Sequence, residues 1–288
     1  MKKAMKKLSV FLVLLPLLGQ ADYLITTPDS LRTNSADYLV ITHDSFTSAL
    51  YPLCRLRESL GLEVKMAELP LVYSTFDSGP RTDRIKAFLR QVYDTWPRRP
   101  TYVLLVGDAC QDSTTGQDFL PCKIFPKFSY SYYSGLTTHS IDNWYAQLQG
   151  NDSIPDLIIG RLPVNTLPRA ESLVAKIVHY ENEPDTGMWT RTVELLGSTD
   201  RQHFAEELDS TYFQPAGDSV YTVYESQGNS AFLRKKTRDG INQGASLLFP
   251  VNHGGLPPAW SGSKTLFSYQ DVDTLVNLDR LTIVLGQG

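Results

Sequence analysis

The chain has 288 residues, 42% of them hydrophobic and 20% charged, a balance typical of a folded globular protein and not of a disordered or fibrous one. Its formal net charge at pH 7 is -4, and no long run of lysine and arginine follows the extreme N-terminus. The sequence therefore shows no electrostatic footprint for nucleic-acid binding.

The first 21 residues have the features of a secretory signal peptide. Four lysines precede a short apolar stretch, and the segment ends in Gly19-Gln20-Ala21, with small residues where the signal peptidase requires them. The apolar stretch is shorter than the roughly 20 residues that a membrane-spanning helix needs. We predict that residues 1–21 are removed, that the mature protein begins at or near Asp22, and that it is secreted or reaches the cell surface without a membrane span.

After a lead-in at residues 22–36, apolar β-branched runs alternate with amphipathic segments, which is the pattern of parallel sheets covered by helices. The first series fills residues 37–183. Its predicted elements, in chain order, are a strand at 37–42, a helix at 46–61, a strand at 62–69, a helix at 81–96, a buried strand at 101–109, a long aromatic-rich loop, a strand at 155–164 and a helix at 167–183.

The turn-forming residues 184–188 predict a linker, after which the alternation begins again in residues 189–288. The chain is therefore expected to be an α/β protein of two adjoining subdomains with mainly parallel sheets. The second series comprises a strand at 192–200, a helix at 202–213, a strand at 219–226, a helix at 229–244, a strand with a loop at 245–255, and a helix leading into a last strand within 271–288.

Candidate chemistry lies where strands of the second series end. Ligands of open parallel sheets bind outside the carboxyl ends of the strands, and Asp200 and His253 follow two such strands. A histidine there can act as a general base, since its ordinary pKa lies near neutrality. Gly254, directly after it, has no Cβ to block a ligand from its backbone N–H. The alternative is that His253 only caps a tight turn.

Several segments together resemble the gingipain family of secreted cysteine peptidases, which have caspase-like folds. In the first series these are "DYLVIT", "YVLLVGDA", "DNWYAQLQGNDSIPDLIIGRLPV" and "AKIVHYE", and in the second "INQGASLLFPVNHGG". The resemblance covers roughly residues 37 to 288. It implies two caspase-like subdomains, a polypeptide substrate, no required cofactor, and hydrolysis of peptide bonds by a cysteine paired with a histidine.

Residue by residue, the resemblance makes His253 the catalytic histidine and Gly254 the oxyanion donor. Asp200 matches either the acid that orients the histidine or a residue that shapes the specificity pocket for arginine or lysine. Asn252 stands where the family usually has glycine. Asp142 and Asp152, in a loop rich in oxygen-bearing side chains, could hold calcium, as in some family members. The sequence gives no indication of the oligomeric state.

The resemblance places the catalytic thiol just after the strand "LTIVLGQG", at the position that follows Gly288. None of Cys54, Cys110 and Cys122 matches that position. The chain as given is therefore expected to be a fragment that lacks the nucleophile and is inactive as it stands. Cys110 is the alternative nucleophile, because it also follows a predicted strand, although pairing with Cys122 across a short loop suits it better.

Two other functions compete with the peptidase hypothesis. Asp44, Asp108 and His253 are metal-ligand types at strand ends and would suit a metal-dependent phosphoesterase, although two-metal sites need more ligands. The aromatic stretch at residues 125–135 would instead suit a non-catalytic secreted module that binds peptides or cell-surface partners.

Overall fold

The computed structural model confirms an α/β protein with mainly parallel sheets. The chain divides into two compact units between Val178 and His179. The predicted signal peptide, Cys110 and most of the aromatic stretch at 125–135 lie outside the described residues. The structure describes residues 23–109, 119–126, 138–150, 152–183, 185–255 and 259–286.

A parallel sheet in the order β1-β3-β2-β4-β7 forms the centre of the first unit, and β5 and β6 pair separately as an antiparallel ribbon. The strands are β1 (Leu24–Ile25), β2 (Tyr38–Thr42), β3 (Val64–Glu68), β4 (Tyr102–Val106), β5 (Lys123–Pro126), β6 (Thr138–Ile141) and β7 (Ile158–Leu162). The helices are α1 (Pro28–Arg32), α2 (Thr47–Ser59), α3 (Leu69–Thr75), α4 (Arg81–Thr95) and α5 (Leu167–Asn182).

Alternate residues of the central strands enter two different hydrophobic clusters. Leu39 of β2 packs with Phe88 and other residues of α4, whereas Val40 packs with Leu50 of α2 and Val174 of α5. Side chains of a strand point to opposite faces in turn, so helices must cover both sides of this sheet. This explains why β2 and β4 appear in the sequence as continuous apolar runs.

Arg161 of β7 holds both flanks of the long loop that follows β4. Its guanidinium donates to both carboxylate oxygens of Asp142, each at 2.7 Å, and to the carbonyl oxygens of Gly107 at 2.6 Å and Leu120 at 2.7 Å. Burial lowers the pKa of Arg161, but the hydrogen bond and charge of Asp142 outweigh it and raise that pKa. Asp142, a candidate calcium ligand, is thus engaged in a bidentate ion pair.

The second unit has a parallel sheet in the order β14-β10-β8-β9 and a small antiparallel sheet in the order β11-β12-β13. The strands are β8 (Thr192–Gly197), β9 (Ser219–Tyr224), β10 (Leu247–Val251), β11 (His253–Gly255), β12 (Ala259–Ser261), β13 (Thr265–Ser268) and β14 (Ile283–Val284). The helices are α6 (Gln202–Leu208), extended by a π-helical turn at Asp209–Phe213, α7 (Gln214–Ala216), α8 (Ser230–Gly244) and α9 (Tyr269–Val272).

Two sequence-based expectations need correction. The predicted helix within residues 271–288 is reduced to α9, which ends at Val272. Asn277 and Asp279 favour turns over helix, and the backbone N–H of Val276 donates to the side chain of Asn242 instead of a helical carbonyl. The predicted loop after β10 contains strand β11. Among the described residues, no helix combines the length and the apolar character needed to cross a bilayer.

Asp271 fastens α9 to α8. Its buried carboxylate accepts hydrogen bonds from Arg234 at 2.8 and 3.0 Å, from Arg238, and from the backbone N–H and hydroxyl of Ser268. Burial raises the pKa of Asp271, but these hydrogen bonds outweigh it and lower that pKa to about 2. Asp271 is therefore a charged, fully paired carboxylate that stabilises the fold.

Glu194, in the middle of β8, is a buried carboxyl group that, unlike Asp271, accepts no hydrogen bond from the described part of the chain. Its side chain is 0% exposed, and neither oxygen has a hydrogen-bond partner among the described residues. A Cβ built on Gly240 of α8 would lie 2.7 Å from Oε2, so the glycine leaves the room that this side chain occupies. Burial raises the pKa of Glu194 well above its ordinary value.

We predict that Glu194→Gln makes the protein more stable than wild type at neutral pH. As pH rises through the ordinary pKa of glutamate, the unfolded chain releases a proton that the folded chain retains, so the stability of wild type falls with pH by up to about 1.4 kcal/mol per unit. Glutamine has no such proton and lacks this loss. Denaturant unfolding of both proteins between pH 4 and pH 8 measures the difference.

The exposed Glu207→Gln is the control for this comparison and should follow wild type at every pH. Parallel stability profiles for Glu194→Gln and wild type over the whole range would contradict the prediction.

Candidate active site

The two sequence-predicted polar residues leave the second sheet at the same edge. β8 and β10 are parallel neighbours, and their last residues, Gly197 and Val251, pair with each other. Asp200 follows Gly197 by three residues and His253 follows Val251 by two. The register of one strand pair therefore brings an acid and a base together at the carboxyl edge of the sheet.

The imidazole of His253 contacts the carboxylate of Asp200, with Nε2 and Oδ2 separated by 3.2 Å. The other oxygen of Asp200 accepts a hydrogen bond of 2.7 Å from the hydroxyl of Ser198. That hydrogen bond first, and the contact with His253 second, lower the pKa of Asp200 below its ordinary value. With Nε2–H donated to the carboxylate, Nδ1 is the ring nitrogen whose lone pair can accept a proton.

The pair is accessible to a large substrate. The side chains of His253 and Asp200 are 40% and 61% exposed. Gly254 is also exposed, and the space where its Cβ would lie is open among the described residues. A polypeptide could therefore reach the imidazole directly, and the backbone beside it is not shielded by a side chain of its own.

A small antiparallel sheet fixes the start of the His253 segment. His253 pairs with Ser261 of β12, and β12 pairs in turn with β13. Trp260 stacks on Phe267 with ring centroids 5.3 Å apart, and both pack against the cluster that includes Leu248 of β10. The sheet is thereby attached to the hydrophobic core, although "HGG" itself has little intrinsic preference for a strand.

Sequence reasoning missed Glu225, which follows β9 at the same edge. Its carboxylate, only 1% exposed, accepts hydrogen bonds from the backbone N–H and hydroxyl of Thr199 at 2.8 and 2.9 Å. It also accepts from the backbone N–H groups of Gly262 at 3.1 Å and Lys264 at 2.6 Å. The sequence does contain a signal for it. In "SVYTVYES" an acidic residue follows an apolar run, and this predicted strand is the next one along the chain after the strand that leads to Asp200.

Asn252 lies between β10 and the catalytic candidate His253 and is 8% exposed. Its side-chain oxygen and nitrogen have no hydrogen-bond partners among the described residues. The departure from the glycine expected at this position therefore places beside the site an amide without a partner in the described part of the chain, at a cost in stability.

The remaining candidates that the structure describes belong to the first unit. Asp44 contacts His43, its sequence neighbour, at 2.8 Å. In the described ranges no three His, Cys, Asp or Glu side chains are grouped as a metal site. Cys54 is fully buried in the first unit, and burial raises the pKa of its thiol to about 12, so it stays protonated.

The sequence of the chain is similar to that of known peptidases. The model of peptidase family C25 matches residues 20–288. Gingipain R2 of Porphyromonas gingivalis is 26% identical over 237 residues, which are 79% of this chain and 28% of gingipain R2. The chain thus spans less than a third of that relative.

Two solved structures share the fold. The Arg-specific cysteine proteinase gingipain R superposes with a TM-score of 0.66 at 21% identity, over 90% of this chain and 55% of that chain. The complex of the pro- and mature domains of RgpB from Porphyromonas gingivalis gives the same TM-score and identity, over 86% of this chain and 55% of that chain. With a family match over nearly its whole length, the chain belongs to peptidase family C25.

Proposed function

We propose that this chain carries the histidine and acid of a secreted cysteine endopeptidase of the gingipain type. The contact of His253 Nε2 with Asp200 Oδ2, at the carboxyl edge of a parallel sheet, is the observation that carries the proposal. Membership of a cysteine peptidase family supports the same chemistry.

In the proposed reaction His253 acts as base and then as acid. Nδ1 takes the proton of a cysteine thiol, and the resulting thiolate attacks the carbonyl carbon of the peptide bond. The imidazolium then gives this proton to the leaving amine as the C–N bond breaks, and water hydrolyses the acyl-enzyme. Asp200 holds the ring orientation and stabilises the imidazolium through Nε2–H. The N–H of Gly254 is the proposed donor to the oxyanion.

We further propose that the thiol belongs to the position after Gly288. Ile283 of β14 pairs with Leu247 of β10, and Val284 pairs with Leu248. If this register continued, the position following Gly288 would fall opposite His253. A cysteine there would lie one strand away from the imidazole, and the 288 residues by themselves would bind peptides without hydrolysing them.

The contacts of Asp200 favour the orienting role over the specificity pocket. Both of its oxygens are engaged within the site, one by His253 and the other by Ser198. Nε of Arg201 also lies 3.8 Å from Oδ2, so this chain itself places a guanidinium beside the carboxylate. The proposal therefore does not assign the arginine preference in the name of gingipain R to Asp200 of this chain.

The source of the nucleophile can be tested with a form of the protein extended by the codons that follow Gly288 in the gene. We expect a cysteine as the next residue and covalent labelling by a peptidyl acyloxymethyl ketone, measured by intact-protein mass spectrometry. His253→Ala should reduce the labelling rate and kcat/KM by about a thousandfold or more, since the thiol loses its base.

His203→Ala, a change at an exposed histidine of the same unit, is the matched control and should label like the unchanged extended form. Hydrolysis of peptides by the 288-residue chain would refute the assignment and return attention to Cys110. Binding of peptides by the extended form without labelling or turnover would favour the non-catalytic module.

The role of Asp200 can be tested by comparing substrates. If Asp200 orients His253, Asp200→Asn in the extended form lowers kcat for all peptides by a similar factor, of the order of a hundredfold or more. Peptides with arginine, lysine and alanine before the scissile bond, assayed in parallel, give the comparison. Loss of the preference for basic residues with turnover retained would instead show that Asp200 lines the specificity pocket.

Export is proposed from the N-terminal segment and is tested separately. We expect the first residue of the exported protein to be at or near Asp22, because cleavage should follow Ala21. Mass spectrometry of the N-terminal peptide from the medium or the cell surface checks this. A soluble product that retains Met1 would exclude the signal peptide.

A further inference from the structure

Glu225 joins the two segments that carry the acid and the base. One carboxylate oxygen, Oε2, accepts both hydrogen bonds from Thr199, and the other, Oε1, accepts those from Gly262 and Lys264. Thr199 directly precedes Asp200 in the chain. Gly262 directly follows Ser261, the residue of β12 that pairs with His253. A single buried side chain thus lies one residue from Asp200 and one residue from the strand partner of His253.

The carboxylate packs closely against Gly262. A Cβ built on Gly262 would lie 2.7 and 2.8 Å from the two oxygens of Glu225 and 2.8 Å from Cβ of Ser198. Only glycine fits at this contact. Ser198 is itself the residue whose hydroxyl donates to Asp200, so the packing around Glu225 extends to a direct partner of the acid.

The charge of Glu225 is matched to its four donors. An ionised carboxylate only accepts hydrogen bonds and has enough lone pairs for all four, whereas a glutamine in the same place would turn donor hydrogens toward two N–H groups. Burial raises the pKa of Glu225, but the hydrogen bonds from Lys264, Thr199 and Gly262 outweigh it and lower that pKa. Lys264 adds a hydrogen bond of 2.9 Å from its ammonium group to the backbone oxygen of Glu225.

We infer that Glu225 is a positioning residue, whose carboxylate sets the distance between Asp200 and His253 by tying the segment after β8 to the turn between β12 and β13. It acts through Thr199 and through the β12–β11 pairing and does not itself touch the reacting atoms. The catalytic part of this inference rests on the proposed function. The structural part, that Glu225 controls the contact between His253 and Asp200, does not require a thiol.

The first test uses the 288-residue chain and no activity. With 15N-labelled histidine, the Nε2–H of His253 is expected as a hydrogen-bonded NMR resonance that Asp200→Asn removes. Glu225→Gln should also remove it, or raise its exchange rate with water at least tenfold, because at least two of the four hydrogen bonds are lost. Thr199→Val, which removes one bond and keeps the side-chain shape, should give a smaller change in the same direction.

Asp271→Asn is the matched control for the loss of a buried, multiply bonded carboxylate. It breaks contacts with α8 and the end of β13 and should lower stability to denaturant while leaving the His253 resonance unchanged. If Glu225→Gln does not fold, Thr199→Val carries the test alone. An unchanged His253 resonance in every folded variant at these two positions would overturn the inference and leave Glu225 a purely structural residue.

The second test uses the extended form. Glu225→Gln and Thr199→Val should lower kcat by about tenfold or more and by a few fold, respectively, with KM changed less than about twofold, since Glu225 acts on the His253–Asp200 pair and not on the substrate. An equal loss in Asp271→Asn would contradict a specific role for Glu225. If no extended form is active, the proposed function fails, and the NMR comparison still decides whether Glu225 controls the pair.

Discussion

The parallel pairing of β8 with β10 is the constraint on which the site depends. It brings the end of one strand at Gly197 beside the end of the other at Val251. Because side chains alternate between the two faces of a strand, a slip of one residue would send the core residues of either strand to the wrong face. The opposing faces of β8 place Leu195 and Leu196 in different buried clusters, so the hydrophobic core itself excludes the slip. Apolar packing several residues away thus places the strand ends that lead to Asp200 and His253 side by side.

Two buried glutamates, one in β8 and one just past the end of β9, show how position decides the behaviour of one side-chain type. Glu194 lies in the middle of β8, where neighbouring strands use the backbone donors, and burial raises the pKa of its carboxyl group. Glu225 lies just past the end of β9, where unpaired N–H groups of adjacent segments converge on its oxygens, and it stays ionised. The carboxyl edge of the sheet supplies donors that its centre cannot. These backbone hydrogen-bond donors also make the carboxyl edge suitable for charged catalytic groups.

Much of this arrangement could be predicted from the sequence because it follows from local patterns. The alternation of apolar strands and amphipathic helices gave the α/β class, and the polar tips after "VELLGST" and "SLLFPVN" identified Asp200 and His253. Other features depend on contacts distant in sequence. β1 has two residues, too few for a periodic pattern, and β11 is a strand only because β12 pairs with it. Glu225 was missed for the same reason, since its four donors come from positions 26 to 39 residues away.

The contacts of Arg161 attach the two flanks of the loop that follows β4 to the sheet of the first unit. The guanidinium binds carbonyl oxygens on both sides of this loop and a carboxylate farther along, at Gly107, Leu120 and Asp142. The contacts with Gly107 and Leu120 are made to backbone carbonyls, so they depend on Arg161 and not on the side chains at those two positions. A single replacement of Arg161 would therefore remove all three contacts together, which makes this position less tolerant of substitution than the exposed Ile158 of the same strand.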